Sequence, residues 1–81
     1  MSRPDPRMLV AEALGCAPET LTESSALARH PNWDSFGHLN VMLKLEQHYG
    51  VQISDATIRR FESLKAIEAL YAELAGQGAT Q

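Results

Sequence analysis

Three side chains in one short stretch could do chemistry. Asp34 and Ser35 are adjacent and His38 follows, so on a helix the hydroxyl and the imidazole stand three apart on one face. Asp, Ser and His are the residue types of an orienter, a nucleophile and a base. The spacing is poor for that use, because the orienter must reach the far ring nitrogen of the base and neighbours on one turn rarely allow it. No Gly-rich segment supplies an oxyanion hole either. A plainer reading makes Asp34 the cap of a helix, with Ser35 tolerated in the first turn, Trp33 packed beside the helix start as a staple and His38 facing solvent. A third makes Ser35 the carrier of a phosphodiester. Unpaired backbone N–H groups and the positive end of the helix dipole at a helix start favour an attached phosphate by up to about 1–2 kcal/mol.

The elements that must position this site are helical. In "DPRMLVAEALG" the residues Leu9, Val10, Ala13 and Leu14 share a face, Asp5 and Pro6 form a favoured cap and first-turn pair, and Gly15 ends the run. From Cys16 to Trp33 there are turn and capping residues but no sustained period, with apolar anchors at Leu21 and Leu27. A connection of that length without regular structure tends to be functional or to wrap the core. It delivers Ser35. From Ser35 to Tyr49 the residues Leu39, Met42, Leu43, Leu45 and Tyr49 follow helical spacing, and Gly50 is a C-cap. After a short extended link at Ile53, Ser54 or Asp55 caps the short helix "DATIRRF". Ser63 then caps a last helix through Leu64, Ile67, Leu70, Tyr71 and Leu74, with Gly76 as its stop and "QGATQ" as a tail. The expected fold class is all-α, with three long helices, one short helix and a long first loop. The expected core is Leu9, Val10, Leu14, Leu27, Leu39, Met42, Leu45, Ile53, Phe61, Leu64 and Ile67.

The chain bounds what such a site can be. Its 81 residues suit a single domain, since a domain of about 60 residues buries only about 60% of its unfolded surface. A substrate-sized cavity would remove much of so small a core, which disfavours an enzyme with its own pocket. Net charge is −3, and the cations Arg29, Lys44, Arg59, Arg60 and Lys65 form no dense run, so nucleic acid is not the expected partner. The single Cys16 makes no intrachain disulfide and offers no metal spacing. The N-terminal apolar stretch is too short for a signal peptide and no run of eighteen apolar residues occurs, so a soluble cytoplasmic protein without membrane contact is expected; a monomer is expected as well.

"WDSFGHLNVMLKLEQHYGVQIS" resembles the motif of the acyl carrier protein family: Asp-Ser and an apolar residue, then a helix ending in Leu-Glu, an aromatic, Gly and a short extended Ile. "LGCAPETL" resembles the end of that family's first helix and the anchor after it, and Leu27 falls where its loop turns an apolar residue inward. "DATIRRFESLKAIEAL" resembles its third and fourth helices. The similarity covers residues 5 to 75 and implies one four-helix carrier bundle there, with 76–81 as a tail. It also implies that Ser35 receives 4'-phosphopantetheine from coenzyme A by a separate phosphopantetheinyl transferase, and that a cargo rides as a thioester on the arm. Asp34 matches the family's acidic residue, associated with capping and with metal-assisted transfer of the arm. On this reading the protein itself is not an enzyme and binds no metal of its own.

Two departures bear on partners. Phe36 stands where Leu is common, and the helix from Phe36 to Gly50 has one acid, Glu46, among Gly37, His38, Asn40, Lys44 and Gln47. Steering toward basic enzymes of housekeeping fatty acid synthesis would be weak. The pattern is similar to stand-alone acyl or aminoacyl carriers of specialised pathways, including those loaded by an amino acid:carrier protein ligase before downstream transferases act. The expected docking residues are Phe36, Leu39, Asn40, Val41 and Lys44. The alternative is a non-catalytic helical adaptor that binds partners through the same helix.

Overall fold

A computed structural model describes residues 3–79 of the chain. Among them are four α-helices, α1 (Pro6–Leu14), α2 (Ser35–Tyr49), α3 (Asp55–Arg60) and α4 (Leu64–Ala79), one 3-10 turn, Pro18–Thr20, and no strand. No helix among the described residues is long and apolar enough to cross a membrane.

The helix ends follow from local chemistry. Asp5 accepts from the Met8 N–H with Pro6 at the first helical position, and Asp34 accepts from the Gly37 N–H at 2.7 Å. Ser54 and Thr57 form a reciprocal capping box at α3, and the Ser63 hydroxyl accepts from the Ala66 N–H. Gly15 and Gly50 stop α1 and α2 in the left-handed conformation, at φ 67° and 73°. Gly76 does not act this way. Its φ is not positive, and α4 runs through it to Ala79, past the expected stop and through most of the expected tail; residues 80–81 lie outside the described residues.

α1 and α2 run antiparallel. Leu14 at the end of α1 lies over Gly37 at the start of α2, while the Tyr49 hydroxyl at the other end donates to the Pro4 carbonyl. The core combines Leu9, Val10 and Leu14 of α1, Val41, Met42, Leu45 and Tyr49 of α2, Leu64 and Ile67 of α4, and Leu21, Trp33 and Phe61 from the connections. Leu27 and Ile53 are half-buried against it rather than inside it. Leu39 is a correction: it is 49% exposed. The buried face of α2 passes through 38, 41, 42, 45 and 49, which leaves Phe36, Leu39 and Leu43 on the other side.

Candidate functional site

Ser35 is the first residue of α2, and its side chain is exposed. Its position is set by the segment before it, which is tied to the body of the fold at four places. Leu21 and Trp33 are sunk into the core. Ala26 pairs with Ser63, bracketed by bonds from Leu27 N–H to the Glu62 carbonyl and from Leu64 N–H to the Ser25 carbonyl. Asn32 donates its side-chain amide to the Leu14 carbonyl, and its backbone N–H goes to Nδ1 of His30, whose Nε2 faces the Thr20 hydroxyl at 3.0 Å. The Ala28 N–H donates to the Trp33 carbonyl, closing the last turn with Ala28 in the left-handed region at φ 69°. A methyl group on Gly37 would overlap the Asn32 carbonyl oxygen and crowd Leu14, so only glycine lets the loop lie this close to the first turn.

His38 is a second correction. It is buried rather than solvent-facing, accepting from the Trp33 indole N–H at Nδ1 (3.0 Å) and facing the Ile58 carbonyl through Nε2 (2.7 Å). Both ring nitrogens are committed, so this imidazole is not available as a base for Ser35. Trp33 is likewise more than a staple: no part of it meets solvent. Its indole needs a buried acceptor, and His38 is the residue of α2 that supplies one.

The Asp34 carboxylate is engaged with the Gly37 N–H as a cap. The Ser35 and Phe36 N–H groups, in the first turn, have no intrahelical acceptor. The serine hydroxyl therefore stands at the positive end of a 15-residue helix with open space around it.

Of the expected docking residues, Phe36 is 75% exposed and Leu39 half so, and with Leu43 they form an apolar stripe along α2. Asn40 is half-buried beside it. Val41 is a third correction, being fully buried, because its place on the helix points at the core; Gly37 is buried too. Lys44 is bound to Glu12 of α1 at 2.5 Å, and this hydrogen bond, with the charge behind it, holds the Glu12 carboxyl below its ordinary range. Within α2, Lys44 is the one Lys or Arg and Glu46 the one acid.

The fold also does what the linear sequence hides. Arg29, distant in the chain, joins Arg59, Arg60 and Lys65 along one open groove of about 590 Å3 between the first loop and the α3–α4 turn. No group of three or more His, Cys, Asp or Glu side chains that could hold a metal ion occurs among the described residues. No family model matches the chain.

Proposed function

We propose that this chain is a carrier whose four helices form a carrier-protein bundle and whose Ser35 bears a 4'-phosphopantetheine arm. The observation that carries the reading is the presentation of Ser35: an exposed hydroxyl on the first residue of a long helix, directly after its capping Asp34, at the end of a loop anchored to the core. The arrangement fits the group. A phosphodiester on the Ser35 oxygen would meet the free first-turn N–H groups and the helix dipole, and needs no cavity in so small a core. The arm's terminal thiol would hold an acyl or aminoacyl cargo as a thioester for partner enzymes. The chain's own part is to hold the attachment oxygen clear of the fold and to offer the Phe36–Leu39–Leu43 stripe to the enzymes that reach for it.

The near-neutral α2 supports dedicated enzymes of a specialised pathway over basic housekeeping ones, with an amino acid:carrier protein ligase as loader. Co-expression with a broad-specificity phosphopantetheinyl transferase tests the reading: intact mass should rise by one phosphopantetheine, mapped to Ser35. An unmodified protein in that experiment would favour the second reading, an adaptor that binds a partner through the same exposed stripe.

A further inference from the structure

The groove between the first loop and the α3–α4 turn differs in charge from the rest of the molecule. Four cations, Arg29, Arg59, Arg60 and Lys65, face two carboxylates, Glu23 and Glu62, an excess of two positive charges in a chain of net charge −3. The four cations are exposed. Arg60 lies over the Phe61 ring at 5.0 Å and 3.9 Å from Glu73, an exposed pair whose attraction is weakened by water. The walls are held in register by the Ala26–Ser63 pairing, so the cations sit on a fixed frame.

We propose that this groove receives a carboxylate-bearing segment of a partner protein, so that docking here has the polarity opposite to an acidic carrier meeting a basic enzyme. The proposal goes beyond the carrier reading and holds for the unmodified chain. An open groove would leave a small ligand largely wet, whereas an extended segment can lie along it. A nucleic acid fits less well, because a backbone with one charge per about 1.7 Å would meet Glu23 and Glu62 as well as the cations. A lipid surface fits less well again. The groove is concave, and the exposed large apolar residues Met8, Phe36, Leu39 and Leu43 all lie outside it. Segments of proteins alone combine carboxylates with the amides and occasional cations that Glu23 and Glu62 would accept. The groove also adjoins the attachment turn, since Ala28 in its lining is hydrogen-bonded to Trp33, two residues before Ser35.

The test titrates unmodified, isotope-labelled protein at low salt with a synthetic peptide of alternating Glu and Ala, following backbone amide shifts. Shifts should concentrate in residues 23–29 and 59–65, and affinity should fall about tenfold or more at high salt or in the Arg29→Glu/Lys65→Glu variant. Arg59→Gln, checked for native circular dichroism, gives a second and milder loss. Equal binding of a Gln–Ala peptide, equal or stronger binding of single-stranded DNA or anionic phosphatidylserine vesicles, or unchanged affinity in the variants would overturn the proposal. Because the arm plays no part here, a protein that takes phosphopantetheine yet ignores the peptide would remove the groove and leave the carrier reading in place.

Discussion

The indole N–H of Trp33 donates to Nδ1 of His38 across 3.0 Å in a part of the core where both side chains are hidden from water. An indole can only donate, so Nδ1 is bare and the ring's proton sits on Nε2, donated to the Ile58 carbonyl. One imidazole thus joins the loop, the first turns of α2, and α3.

The first prediction follows from that joint. His38→Ala leaves a buried donor and a half-buried acceptor without partners and should cost about 2 kcal/mol. Trp33→Phe leaves Nδ1 unpaired and should cost about 1–3 kcal/mol. Urea melts of both singles and the double variant check the coupling. Additivity within about 0.5 kcal/mol would mean that the two rings do not depend on one another.

Ser35 should be separable from stability. Its side chain is exposed and the cap is Asp34, so Ser35→Ala should shift unfolding by less than about 0.5 kcal/mol and, on the proposed carrier reading, abolish attachment of the arm. Asp34→Ala should instead cost about 0.5–2 kcal/mol, because the Gly37 N–H loses its acceptor. Thermal melts with intact-mass readout separate the two effects.

On α2 the two apolar faces predict opposite outcomes. Leu45→Ala, at a fully buried site, should cost about 2–5 kcal/mol. Leu39→Ala, at a half-exposed one, should cost less than about 1 kcal/mol and, on the proposed reading, act on partner binding instead. Comparable losses of denaturation midpoint in the two variants would contradict the assigned faces.

That pair also shows what was legible in the sequence. The helices were, because Asp5, Asp34, Ser54, Ser63, Gly15 and Gly50 act on backbone groups within a few residues and need no tertiary context. The facing of α2 was not. Leu39 and Leu43 carry a helical period as good as that of Val41 and Leu45, and the face that is buried includes Gly37 and His38, which read as surface. Trp33, a loop residue whose indole requires an acceptor, bears on that choice of face from outside the helix, together with the α1 and α4 side chains that share the core. Ser35 and Asp34 stand where expected, since a cap and its neighbour are local features, whereas the basic groove arises only when residues 29, 59, 60 and 65 are folded together.

Alkaline pH should weaken the fold through Tyr49. Burial pushes its hydroxyl well above the ordinary 10.0, Tyr71 and Asp5 push the same way, and Arg3 opposes them. The folded chain therefore holds this proton more tightly than the unfolded one. The corresponding stability is fully present below about pH 10 and is lost as pH climbs from there toward the raised native value. Tyr49→Phe should cost about 1 kcal/mol at neutral pH, where the bond to Pro4 is lost, and should flatten the alkaline slope. Urea midpoints measured from neutral to alkaline pH compare the two proteins.

The buried indole has a spectroscopic consequence. Trp33 is the one tryptophan of the chain, dry, hydrogen-bonded to His38 and two residues ahead of Ser35. Its emission should be blue-shifted in the native protein and move to the red when the loop opens. Fluorescence thus gives an intrinsic optical signal from the turn that presents Ser35, readable without a label.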